Sequence, residues 1–174
     1  MKKCNKVVSS FVVMMMLFPV TLQAVDGKIT FNGEVIENTC IVVNKDKTVT
    51  LPKVQRSALS GTGEIAGIVP FTIDLTNCTP GTNVSVFFEK DPLVSTEGRL
   101  KNTLSDGAKN VEVELLNNQF KSINLANPDQ DVIPVEVAGQ DGSASLPFYT
   151  RYYATDATTA GKVATYVNFT LTYP

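Results

Sequence analysis

The sequence predicts an all-β domain, a sandwich or a barrel. Three observations carry that expectation. Short apolar runs with a period of two recur from residue 29 to residue 173. Turn-forming residues separate them at intervals of about 8–15 residues. No long segment shows the 3.6-residue period of an amphipathic helix.

Taken in order, Ile29, Phe31, Gly33 and Val35 alternate with Lys28, Thr30, Asn32 and Glu34. A short strand is expected at 49–51, and residues 55–60 could form one helical turn. In 68–75, Phe71, Ile73 and Leu75 share a face, and the run then meets Asn77-Cys78 and the turn Thr79-Pro80-Gly81. Strands follow at 84–88, around Leu100, and at 111–115, 132–137 and 146–153. Asp106-Gly107, Asn117-Asn118, Asn127-Pro128-Asp129 and Gly139-Gln140-Asp141-Gly142 supply the turns between them. In 163–173, Val163, Val167, Phe169, Leu171 and Tyr173 line one face, interrupted at Thr165, and the even positions are mostly polar. Strands at both ends with no obvious partner point to assembly by strand exchange.

Residues 1–24 read as a secretory signal peptide. Lys2, Lys3 and Lys6 make a basic start, an apolar run extends from Val7 to Val20, and Leu22-Gln23-Ala24 ends on a small residue. A membrane span needs roughly 20 apolar residues, more than this run holds. Cleavage after Ala24 removes three lysines and no acid. Lys+Arg falls from 15 to 12 against 17 Asp+Glu, a net charge of −5, which argues against nucleic-acid binding. Cys4 also leaves. Cys40 and Cys78 remain, and two cysteines in an exported chain read as a disulfide, worth about 4 kcal/mol in the chain-entropy account. A two-thiolate metal site lacks further ligands, because the chain has no His and no CxxC.

Catalytic chemistry is hard to assemble from these residues. Without His there is no Ser-His or Cys-His dyad. Glu112 and Glu114 share a strand face but read as a solvated outer surface. Asp129, Asp131 and Asp141 lack calcium-loop spacing. Gly61-Thr62-Gly63-Glu64-Ile65-Ala66-Gly67 lacks the lysine and following helix of a phosphate loop. No enzyme, cofactor or metal is expected.

Phe31-Asn32-Gly33-Glu34-Val35-Ile36 leading to Cys40 resembles the start of a mature type 1-like fimbrial subunit. Phe71-Thr72-Ile73-Asp74-Leu75-Thr76-Asn77-Cys78 is similar to a strand of the same pilins. So is Phe148-Tyr149-Thr150-Arg151-Tyr152-Tyr153-Ala154 followed by Thr159-Ala160-Gly161. Gly161, fourteenth from the end, and the penultimate Tyr173 resemble the marks of their C-terminal assembly strand. The resemblance implies an incomplete immunoglobulin-like sandwich, completed by a donor strand from another subunit. It implies a donor extension at 25–37 ahead of a pilin domain at 38–174. Ile29, Phe31, Gly33 and Val35 would be donor residues. Gly161, Val163, Val167, Phe169, Leu171 and Tyr173 would line the acceptor groove and chaperone-binding strand. The implied partners are neighbouring pilin subunits, a periplasmic chaperone and an outer-membrane usher, on the way to a fimbrium at the cell surface. Shaft subunit is the leading expectation; a minor adaptor subunit or an adhesin-type binding module is the alternative.

Overall fold

Two long strands organise the domain. Strand β2 (Ile65–Thr76) and strand β7 (Ala144–Ala154) pair antiparallel, with Ile73 opposite Leu146 and Phe71 opposite Phe148. Their alternation places Ile73, Leu75, Leu146 and Phe148 inside, where each large side chain contributes about 1.5–3 kcal/mol on full burial. The computed structural model describes residues 28–33 and 40–174; the signal-peptide reading and Val35 fall outside those residues. The chain divides into two units, Met1–Ile36 and Glu37–Pro174. In the first, the described residues 28–33 form no strand, and Ile29 and Phe31 are 79% and 89% exposed.

The second unit is all-β apart from a 3-10 turn at Arg56–Leu59, which falls within the expected helical turn. Its remaining strands are β1 (Ile41–Val42), β3 (Asn83–Phe88), β4 (Leu100–Lys101), β5 (Val111–Leu116), β6 (Val135–Glu136) and β8 (Phe169–Thr172). One sheet has the order β1-β2-β7-β5-β4 and the other β6-β3-β8, with every pairing antiparallel. The core lies between them. Val113, Leu115, Leu146 and Phe148 come from the larger sheet, Val84, Val86 and Phe88 from the smaller, and Ile123, Leu125 and Val137 from the connections. Phe148 stacks on Phe71 and meets Phe88 edge-on, with ring centroids 5.5 and 5.3 Å apart.

Cys40 and Cys78 are joined in a disulfide. The bridge sits just before β1 and just after β2, whose register begins with Ile41 opposite Thr76. It clamps the end of that pair. Gly142 permits this corner: the Cys78 N–H donates to its carbonyl at 2.9 Å, and its φ is +66°. A Cβ there would stand 2.6 Å from the Cys78 oxygen.

The structure differs from the sequence reading at several elements. Residues 49–51 form no strand, because no ladder partner lies beside them. Strand β6 is shorter than the expected 132–137, because its ladder with β3 covers only Val135 and Glu136, and further along β3 the Phe88 backbone bonds the Gln130 side chain instead. Glu112 and Glu114 do share a face of β5, but that face is covered rather than solvated. Glu114 is 3% exposed. Its carboxylate accepts from Arg151 Nε at 2.6 Å and from Ser122 Oγ at 2.8 Å. Glu112 accepts from Arg99 Nε at 2.9 Å, and that guanidinium lies 3.8 Å over the Tyr153 ring.

Candidate strand-acceptor groove

The last segment of the chain alternates as a half-buried strand should. Residues 163, 165, 167, 169, 171 and 173 are half-buried, and the even residues from 162 to 174 are exposed. Its backbone alternates too. On the even side, the Lys162 carbonyl accepts from Ala108 N–H, the Ala164 carbonyl from Thr103 N–H, and the Asn168 carbonyl from Glu89 N–H, at 2.8–2.9 Å. Thr170 and Thr172 then continue in the ladder with β3. On the odd side, the backbone groups of Val163, Thr165 and Val167 make no hydrogen bond among the described residues. Strand β8 is the last strand of its sheet. The segment therefore presents an open strand edge above a half-covered apolar face.

Only 169–172 count as ladder, shorter than the expected strand at 163–173. The first half of the segment is held by the 102–108 loop instead: Asn102 Nδ2 donates to the Lys162 carbonyl, and Asn102 Oδ1 accepts from Ala164 N–H. Gly161 makes that approach possible. A Cβ there would collide with the Ala108 backbone nitrogen and stand 2.8 Å from the Gly107 carbonyl carbon.

Opposite this edge run residues 41–54, and three openings mark the trough between the two. The first, about 410 Å³, is lined by Cys40–Val42, Val167, Phe169 and Leu171. The second, about 510 Å³, has Val49 and Leu51 on one wall, Thr165, Val167 and Phe169 on the other, and Phe71, Ile73, Phe88, Leu100, Val113 and Leu115 as its floor. The third, about 550 Å³, joins Leu51–Val54 to Gly161–Ala164 over Val111 and Tyr152; burial pushes the Tyr152 phenol up from its ordinary pKa. The two walls run antiparallel, since residues 41–45 face 167–171 and residues 51–54 face 161–164.

Of the residues singled out from sequence, Gly161, Val163, Val167, Phe169 and Leu171 lie along this groove. Tyr173 is half-buried against the core cluster. Ile29, Phe31 and Gly33 belong to the other unit. Sequence reasoning missed the opposite wall, Val49 and Leu51, and the polar pair Thr150 and Thr165. Thr165 reads as a flaw in an apolar stripe, and nothing local marks Thr150.

The type-1 fimbrial protein, A family (FimA) matches residues 51–174. The F17 fimbrial protein of Escherichia coli is 41% identical over 159 residues, covering 86% of this chain and 88% of the relative. The major fimbrial subunit SMF-1 of Stenotrophomonas maltophilia strain K279a is 41% identical over 167 residues, covering 89% and 96%. A subunit from a solved chaperone–usher pilus, in a study of rod uncoiling, superposes with a TM-score of 0.61 at 20% identity, over 88% of this chain and 99% of that one. The architecture is thus the pilin form of the immunoglobulin-like sandwich, one strand short. This chain belongs to the type-1 fimbrial protein family and is a structural subunit of a bacterial surface fimbria.

Proposed function

We propose that the chain builds the fimbrial shaft by donor-strand exchange, residues 27–36 of one copy filling the groove between 41–54 and 161–173 of the next. The observation that carries this reading is the odd-numbered edge at 163–167, unpaired above a half-covered core. An added strand supplies both the missing hydrogen bonds and the missing cover. The donor segment has matching chemistry: Ile29 and Phe31 stand largely exposed, on the same side of the alternation as Gly33 and Val35. Each large side chain gains about 1.5–3 kcal/mol on full burial.

Direction explains why the donor is another chain. A strand antiparallel to 161–173 runs parallel to 41–54. The tail directly precedes Ile41, so lying in its own groove that way would require doubling back along the whole donor length, roughly 33 Å for ten residues. Residues 37–40 reach only about 14 Å. Before assembly, a strand of a periplasmic chaperone occupies the groove and an outer-membrane usher receives the complex. The shaft assignment follows the major-subunit description of the 41% identical relative.

Deletion of 25–36 tests the reading. The truncated chain is expected to fold with its chaperone and form no SDS-resistant ladder. Wild-type laddering by the truncated chain would overturn the proposal.

A further inference from the structure

Two buried hydroxyls interrupt the apolar part of the groove lining, and neither has a partner among the described residues. Thr150 sits at the centre of β7, paired with Val69 on one side and Leu115 on the other, and is 3% exposed. Thr165 stands on the groove face of the C-terminal segment. Both line the central opening of about 510 Å³. Both Oγ1 atoms are buried without a hydrogen bond among the described residues. An unsatisfied buried hydroxyl is destabilising, and a valine would fill either position without that penalty.

We infer that Thr150 and Thr165 form a polar notch that holds one water beneath Gly33 of the incoming donor strand, and that this notch sets the donor register. The inference rests on the donor-strand reading above. Among the donor positions on the inward side, Ile29, Phe31 and Val35 carry apolar side chains and Gly33 carries none. Placing Gly33 opposite Thr165 in an antiparallel pairing puts Phe31 against Val167, Ile29 against Phe169 and Val35 against Val163. The donor position without a side chain then meets the polar pair, and every apolar donor residue meets an apolar wall. A buried water needs two to four polar partners. The two hydroxyls supply two, and the backbone of the incoming strand can supply a third. A shift by two residues would drive Phe31 or Val35 onto the hydroxyls and leave them unpaired, so the notch opposes slippage that alternation alone permits.

Serine and alanine at position 33 test this in the full-length chain. Gly33→Ser brings a hydroxyl that can replace the water, whereas Gly33→Ala expels the water and offers nothing. The expected yield of SDS-resistant ladder is at least ten-fold higher for Gly33→Ser than for Gly33→Ala. In a Thr150→Val/Thr165→Val background the order reverses. Thr165→Val alone, at a half-buried position, gives a weaker reversal and covers the case in which the double variant folds poorly. The same ranking in all backgrounds would overturn the notch while leaving strand exchange intact. Absence of ladders from the unaltered chain would instead overturn the donor-strand reading.

Discussion

Phe169→Asp separates the stability of the subunit from its capacity to accept a strand. Phe169 pairs with Phe88 in the β3–β8 ladder and its ring lies between the openings of about 410 and 510 Å³. In the subunit alone it is only half-buried. Truncating it forfeits about half of the 1.5–3 kcal/mol that full burial provides, roughly 1 kcal/mol. The new carboxylate stays hydrated through the open groove. When a strand closes over the groove, that carboxylate is sealed without a partner, at a cost of several kcal/mol. A difference of 3 kcal/mol already exceeds a hundred-fold in binding. The urea midpoint should therefore move modestly, while chaperone co-purification and ladder formation should both disappear. Normal laddering by Phe169→Asp would mean that the odd residues do not face the inserted strand. The register would then be off by one, and the groove assignment would fail.

Three further outcomes follow from the same geometry. Cys78→Ser should cost about 4 kcal/mol by releasing the clamp on β1 and β2, a large part of a typical domain's stability; little subunit should accumulate in the periplasm, as immunoblotting would show. Gly161→Val should push the C-terminal segment off Gly107–Ala108, and hydrogen exchange at Ala108 and Thr103, whose N–H groups donate to Lys162 and Ala164, should rise well before global unfolding. Arg151→Met leaves the Glu114 carboxylate buried with only Ser122 as partner, a loss of about 3–5 kcal/mol. Adding Glu114→Leu should recover most of that loss in urea denaturation, whereas equal instability of the single and double variants would remove the ion pair from the account.

Much of the architecture was legible in the chain because burial there repeats locally. Phe71, Ile73 and Leu75 announce their face by spacing alone, as do the odd residues of 163–173. Where burial depends on residues distant in sequence, local pattern misleads. Glu114 sits at an outward position of β5, and alternation correctly assigns its side of the sheet. What covers that side is Arg151 from β7 and Ser122 from the following turn, and no spacing within 111–115 reveals them. Strand β1 escaped notice for a similar reason. Two residues make no pattern, and their pairing with β2 is positioned by the neighbouring disulfide. The far wall of the groove, Val49 and Leu51, looked like a strand and is not one. Their half-buried side chains become intelligible only beside the opposite wall.

The two edges of the smaller sheet make the strongest physical case that the open one is functional. Beyond β6, Phe88 would leave its N–H and carbonyl unpaired on that side of β3. Gln130 closes the gap: its Oε1 accepts from Phe88 N–H at 2.9 Å and its Nε2 donates to the Phe88 carbonyl at 2.7 Å. A single side chain thus stands in for a missing stretch of strand and blocks pairing there. At the other edge, the backbone groups of Val163, Thr165 and Val167 receive no such substitute among the described residues, although openings of about 510 and 550 Å³ lie beside them. A fold that caps a short gap with a dedicated amide, yet leaves a longer gap open over its own apolar interior, is not short of means to close edges. On the donor-strand reading proposed above, the open edge is the one closed from outside the domain. Capping it internally, with a strand appended after Tyr173 in place of the exported tail, would stabilise the monomer and abolish the filament.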